Sequence, residues 1–347
     1  MNRIEILKRD QSERIYHFLA RQPKALLYCS PRYVALVSDY LQADYFWLAL
    51  CKDCKLTALL PVMVATGKFG PVYNSLAYYG SNGGVIDSAD SFSNKQILID
   101  QFYCLAEEAG ACSATIITNP LNEDTQIYDE ITKCDYKDQR VGQITSLEGI
   151  VDEQSLLAKF ESPRPRNIRK AIKSGVQVSQ SVKPEAIDAL YAIHVENMQK
   201  IGGLAKEKAF FDRLTVYMQQ GDWAIFEARV GGDISASLLV FYFNQTVEYF
   251  TPVVKQEFRD TQSLSLVIFE AMLDAVKRGF KKWNWGGTWL TQDGVYQFKK
   301  KWGTTDYPYF YYTKVFNEAV LATSREELLG EYKGFFVLPF SVLSRDV

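Results

Sequence analysis

Twice along the 347 residues a run of short strands gives way to an amphipathic helix, then a strand, a second helix and a last strand, at 45–147 and again at 222–315. In the first copy Tyr45–Cys51 and Lys55–Val64 read as strands about a polar turn at Lys52 and Asp53. The segment 94–110 then sets Ile97, Leu98, Phe102, Leu105 and Ala106 at helical spacing, followed by a strand at 113–118, a helix at 124–134 and a strand at 139–147. In the second copy Trp223–Val230, Ile234–Phe243 and Val247–Val254 are separated by Gly231-Gly232-Asp233 and Asn244-Gln245, residues that suit tight hairpin turns. The helix at 261–279 gathers Leu264, Val267, Ile268, Ala271 and Ala275 on one face and stops at Gly279. Further helices are expected at 11–20, at 31–42 with Ser30 as cap, at 153–160 and, as a pair broken at Gly202-Gly203, over 182–220. Helices ahead of a meander, then alternating helix and strand, predict an α/β (α+β) protein of two tandem domains, 1–150 and 151–347. Each is expected to hold a mixed, mainly antiparallel sheet flanked by helices.

Composition removes several classes of function. Hydrophobic residues make up 47% and charged residues 23%, enough for a sizeable core. The charged amino terminus lacks the apolar stretch of a signal peptide, and the longest apolar runs are about half a bilayer span, so a cytoplasmic chain without a membrane span is expected. A net charge of −2 argues against a DNA-gripping protein. Six cysteines without a secretory signal read as reduced thiols; Cys51 and Cys54 form the one CxxC, and a zinc site would need a second such pair or histidines, of which the chain has only His17 and His194. No metal is therefore expected.

Chemistry concentrates in two stretches. Trp283–Gly303 opens as an aromatic strand, breaks at Gly286-Gly287, turns at 291–294 and resumes as a helix with Tyr296, Phe298, Lys299, Lys300 and Lys301. Lys299 follows an aromatic anchor near a helix start, where a cation can stabilise a developing oxyanion; its two neighbours point elsewhere on the helix. Arg164, Arg166, Arg169, Lys170 and Lys173 place five cations in ten residues, with Arg166, Arg169 and Lys170 stacked on one side of a helix, a pattern suited to phosphate oxygens. The two stretches are expected to face one ligand cleft. His194 has the pKa range of a general base, and Glu248 and Tyr249 lie where a strand face can meet an acceptor amine. Against each stands the plainer reading of a solvated lysine run, a structural histidine or a core aromatic strand.

Taken together, RNIRKAIKSGVQV at 166–178, HVENMQKIGG at 194–203 and WNWGGTW followed by VYQFKKKWG at 283–303 resemble, in order, the FemAB-like members of the GNAT acyltransferase superfamily. The resemblance covers about 150 residues of the second half. It implies two GNAT-like domains and transfer of an acyl or aminoacyl group onto an amine, with no permanently bound cofactor. The donor it implies is an acyl-CoA or an aminoacyl-tRNA, and the acceptor an amino sugar or other nucleotide-linked or phosphate-bearing envelope precursor. In the peptidyltransferase branch a phenylalanine-lysine pair contributes to the reaction centre, which carries over to Phe298 and Lys299. Two departures stand out: 254–263, where a CoA-binding domain usually has a glycine-rich loop, holds no glycine, and no heptad run marks a coiled-coil arm over 182–220. A catalytically silent, ligand-binding relative is the rival reading.

Overall fold

The computed structural model describes residues 2–78, 82–289 and 291–343. Gly80 and Ser81 of the GSNGG stretch, Leu290 in the aromatic-to-basic segment and 344–347 of the tail lie outside them. In chain order the elements are β1 (Asn2–Leu7), α1 (Ser12–Leu19), α2 (Pro31–Leu41), β2 (Asp44–Lys52), β3 (Lys55–Gly67), β4 (Gly70–Asn74), β5 (Ile86–Asp87), α3 (Phe92–Glu108), β6 (Ser113–Ile117), α4 (Thr125–Ile131) and β7 (Tyr136–Ser146). They continue as α5 (Glu153–Ala158), α6 (Arg164–Lys173), β8 (Gln177–Ser181), α7 (Pro184–Lys200), α8 (Lys208–Asp212), α9 (Leu214–Tyr217), β9 (Trp223–Val230), β10 (Asp233–Phe243), β11 (Thr246–Val254) and α10 (Ser263–Lys277). The chain closes with β12 (Lys282–Thr288), α11 (Asp293–Lys300), β13 (Thr304–Val315), α12 (Arg325–Glu331) and α13 (Phe340–Leu343).

These elements form two compact units, 1–141 with 308–347, and 142–307. The segment 308–347, assigned on sequence to the second domain, thus packs with the first. In unit 1 the strand order is β1-β2-β3-β4-β6-β13. The first strand escaped the sequence reading because an edge strand of alternating Arg3, Ile4, Glu5 and Ile6 carries no continuous apolar signal. The β2–β3 hairpin turns at Asp53 and Cys54, both with positive φ, so the CxxC pair belongs to a hairpin and its turn. Ser30 accepts the Tyr33 amide at the start of α2, with Pro31 in the first turn, as the sequence implied. Leu98, Ile99, Phe102 and Ala106 of α3 pack on Leu48, Leu60, Val62, Ala114 and Ile116. Gly83 is required where it stands, since a Cβ there would lie 2.0 Å from the Ser75 carbonyl oxygen.

The tail, which had no place on sequence grounds, is pinned by polar groups. Tyr332, fully buried, donates to the Gly70 carbonyl at 2.8 Å and accepts the Phe69 amide at 3.1 Å. Asn74 exchanges hydrogen bonds with the Phe336 backbone at 2.8 and 3.0 Å.

Unit 2 holds the order β7-β12-β11-β10-β9-β8. Helix α10 packs its apolar face on Leu238, Val240, Tyr242 and Val247, together with Ile168 and Ala171 of α6. The opposite strand face carries Phe241 and Phe250 in edge contact, and Phe250 stacks on Phe210 of α8. Among the described residues no helix is long and apolar enough to cross a membrane.

Replacing Tyr332 with Phe leaves a buried amide and a carbonyl without their shared hydroxyl. We expect a loss of about 1–3 kcal/mol, read as a lower urea midpoint at unchanged slope.

Candidate functional site

The site in unit 2 begins as a parting of strands. Parallel β11 and β12 pair only over Thr246–Glu248 and Lys282–Asn284, yet β11 runs on to Val254 and β12 to Thr288. Two local features turn them apart. A register shift in the β10–β11 ladder leaves Phe250 as the extra residue between the Val240–Tyr249 and Leu239–Thr251 pairs, and Gly286 adopts φ +73°. Beyond the paired residues, the facing edges of both strands lose each other as hydrogen-bond partners, which opens a wedge lined by backbone N–H and C=O groups.

A chain of side chains holds the wedge open. Glu248, only 1% exposed, accepts from Asn284 Nδ2 at 2.8 Å, and Asn284 Oδ1 accepts the Gly286 amide at 2.9 Å. Lys299, 7% exposed, donates to the carbonyls of Gly286 (3.3 Å) and Gly287 (3.1 Å) and to Thr288 Oγ1 (2.8 Å). Thr288 in turn donates to Gln143 Oε1 at 3.2 Å, and Gln143 Nε2 donates to the Tyr296 carbonyl at 3.2 Å. Burial pulls the Lys299 ammonium down to about 8. Its three protons all point at β12, so the geometry suits a clamp on the strand end better than a free oxyanion donor.

An aromatic wall completes the wedge. Tyr249 lies 4.8 Å from Trp285 between ring centroids, and burial drives its phenol well above the usual tyrosine range. Phe298 packs on the same core, with the Arg164 guanidinium 4.3 Å over its ring and donating to its carbonyl at 3.1 Å. Arg164 therefore ties α6 to α11, joining the two stretches expected to meet. Tyr296, by contrast, donates to Asp306 at 2.6 Å on the surface, and Lys300 lies 3.5 Å from the same carboxylate.

The remaining cations of α6 line a different space. Arg166, Arg169, Lys170 and Lys173 border a cavity of about 560 Å³ with Gln262, the residue that precedes α10. The glycine-free loop before that helix folds as a 3-10 turn at Gln256–Thr261, and Gln262 itself takes the left-handed backbone a glycine would have supplied, φ +61°. The first N–H groups of α10 have no intrahelical acceptor.

His194 is drawn out of this ensemble. Its Nε2 accepts the Lys206 amide at 3.0 Å, its ring packs on Phe211, and burial with the nearby Lys206 charge lowers its pKa to about 4. Both features oppose the role of general base and suit anchoring the loop at 201–207. Asn284, Thr288 and Gln143 escaped the sequence reading; the one signal for them was an asparagine set between two tryptophans in a short buried strand.

Residues 164–300 match the family model described as an acetyltransferase (GNAT) domain. The second unit carries a GNAT acyltransferase domain. In fold the chain is similar to the crystal structure of FemX, with a TM-score of 0.74 over 92% of this chain and 99% of that one at 14% identity. It is also similar to the C-terminal domain of a putative lysylphosphatidylglycerol synthetase from Agrobacterium fabrum (TM-score 0.57, 14% identity, 94% and 98% covered). A tandem GNAT protein from the clavulanic acid biosynthesis pathway matches at TM-score 0.53 and 10% identity, with 90% and 98% covered. At these identities the likeness is one of fold, and it agrees with the FemAB-like, tandem GNAT architecture implied by the motif order. No curated protein matches the chain. The chemistry of the GNAT domain is acyl transfer.

Protonation of His194 gives a pH test. Its folded pKa of about 4 lies below the unfolded value near 6.5, so the unfolded chain binds the extra proton first as pH falls. Its contribution is present above pH ~6.5 and is lost progressively down to pH ~4, by on the order of 3 kcal/mol. Urea midpoints of His194→Gln, which keeps an acceptor for Lys206, are expected to fall less steeply than wild type across that window; parallel slopes would refute the assignment.

Proposed function

We propose that the GNAT unit moves an acyl group from an acyl-CoA to the primary amine of a phosphate-bearing amino sugar or cell-envelope precursor. The observation that carries this reading is the four-cation cavity beside the start of α10, the helix that follows the parted strand β11. Arginine forks and helix N–H groups suit a pyrophosphate. A pantetheine-like arm bound from there can lie along the unpaired edges of the wedge, bringing a thioester to Glu248, Asn284 and Lys299.

The neutral amine attacks the thioester carbonyl, forming the C–N bond and a tetrahedral oxyanion. Backbone N–H groups just beyond Glu248, at Tyr249 and Phe250, are the ones we assign to receive that charge, since Pro252 has none and the Val254 amide donates to Asn197 Oδ1 at 3.0 Å. Collapse breaks the C–S bond, and the thiolate leaves with the proton given up by the amine. Glu248, buried and oriented by Asn284, is the carboxylate we assign to carry that proton. Lys299 acts by holding Gly286 and Gly287, and Phe298 by closing the aromatic wall. Tyr249 shapes the same wall, while Arg166, Arg169 and Lys170 hold the donor phosphates.

Support for an envelope acceptor comes from the FemAB-like motif order and from the name of one fold neighbour, the putative lysylphosphatidylglycerol synthetase. An aminoacyl-tRNA would also bring phosphates to the cationic helix, so the donor is decided by reaction. Mass spectrometry of UDP-amino sugars and peptidoglycan precursors, incubated with each donor class, is expected to show one added acyl group with acyl-CoA. Product formed only with charged tRNA would replace the donor, and no product with either would favour a silent binding protein.

The charge-assisted contacts of the cavity set a kinetic expectation. Arg169→Ala combined with Lys170→Ala should raise KM for acyl-CoA at least ~10-fold, with kcat within about 3-fold, because ground-state and transition-state binding are lost together. Lys299→Met should act the other way, lowering kcat at least ~10-fold as the Gly286–Gly287 end of β12 comes loose.

A further inference from the structure

Four of the five cations of α6 form a single stripe. At 3.6 residues per turn and 1.5 Å per residue, Arg166, Arg169, Lys170 and Lys173 fall within an arc of about 100° and extend over roughly 10 Å of the helix. Every titratable group that borders the cavity belongs to this row. None of the four has a carboxylate partner among the described residues, although the chain carries 41 acidic side chains to 39 lysines and arginines. The helix dipole accounts for only part of the row. Lys170 and Lys173 stand in the last turn, where a cation is favourable, but Arg166 stands in the first, where the dipole opposes it.

The stripe also has a direction relative to the wedge. Arg164, at the start of α6, lies over the rings of Phe298 and Trp302, and both rings meet Trp285 of β12. The other end of α6 leaves through Gly175 into β8, which pairs only with β9 and closes the far edge of the unit's sheet. Strands β11, β10 and β9 stand between β12 and β8. In between, Ile168 and Ala171 pack on the core under α10. From Arg166 to Lys173 the stripe therefore runs away from the wedge.

A CoA thioester has an order of its own. Its acyl-bearing arm is joined to a pyrophosphate, and the pyrophosphate to the 5′ oxygen of a ribose that carries a further phosphate on its 3′ oxygen. With the arm in the wedge, the pyrophosphate falls at the Arg166 end and the 3′-phosphate farther out, at Lys173. The charges match as well. A terminal monophosphate carries about −1.5 to −2 at neutral pH and the pyrophosphate diester roughly −2, so the four cations meet about four negative charges. A donor with a pyrophosphate alone leaves the outer end of the stripe unused.

We infer that Lys173 is the specificity residue of the donor site: it holds the ribose 3′-phosphate and so selects CoA over nucleotides that carry only a pyrophosphate. This rests on the acyl-CoA reading of the cavity.

Calorimetric titration of the full chain with CoA and with dephospho-CoA, which lacks only the 3′-phosphate, tests it without turnover. CoA is expected to bind at least ~10-fold tighter, the worth of one charge-assisted contact. Lys173→Gln, at an exposed position, should weaken CoA until the two ligands differ by no more than about 3-fold, whereas Lys173→Arg should keep the preference. Arg166→Gln should weaken both ligands by similar factors. Equal binding of CoA and dephospho-CoA to the wild-type chain overturns the inference and leaves the acyl-CoA reading in place. Binding of neither ligand overturns both. A preference that survives in Lys173→Gln, or that disappears in Arg166→Gln instead, overturns the role of Lys173.

Discussion

Two parallel strands that pair over three residues and then separate set the conditions for everything else in unit 2. A parted pair exposes backbone polar groups that a sheet would normally satisfy, which is unfavourable unless something holds the gap. Here the holding is done by side chains: Glu248 on Asn284, Asn284 on the Gly286 amide, and Lys299 on the carbonyls of Gly286 and Gly287. Placing a lysine in that position is itself costly, as the depressed Lys299 ammonium shows, and the three acceptors around it make the cost bearable. The wedge is therefore held by a connected set of buried hydrogen bonds.

The basic helix illustrates how neighbours, more than residue type, assign roles. All five cations of α6 look alike in the sequence. Arg164 is turned inward onto Phe298 and Trp302 and joins two helices, whereas Arg166, Arg169, Lys170 and Lys173 face an open cavity at the start of α10. A slightly acidic protein thus presents a strongly cationic surface at one helix start. At the start of α3 in unit 1, by contrast, Lys24 and Lys95 stand with Asp87 and Asp90, and Lys95 is also paired with Asp124.

The strands at 136–146 and 304–315 each begin in one unit and end in the other, since the units divide at 141/142 and at 307/308. That path explains why a boundary drawn at 150 differs from the one the contacts define. Nothing in the periodicity of a strand marks which core its two ends will join.

Periodicity, turn residues and caps by themselves determined most of the elements: the β9–β10–β11 meander from Gly231-Gly232 and Asn244-Gln245, α10 from its apolar face, α2 from Ser30 and Pro31. These are local signals, governed by backbone conformation and by which face must be buried. The ordered motifs likewise pointed to the GNAT class, to Lys299 and to the arginine helix, and the strand face to Glu248. Only the tertiary structure decided what each would touch. It took His194 out of the chemistry by giving its acceptor nitrogen to Lys206, spent the protons of Lys299 on β12, and brought in Asn284, Thr288 and Gln143. Those outcomes depend on contacts between residues far apart in the chain, Gln143 with Thr288 and Asn284 with Glu248 among them, and such contacts have no periodic trace in the sequence.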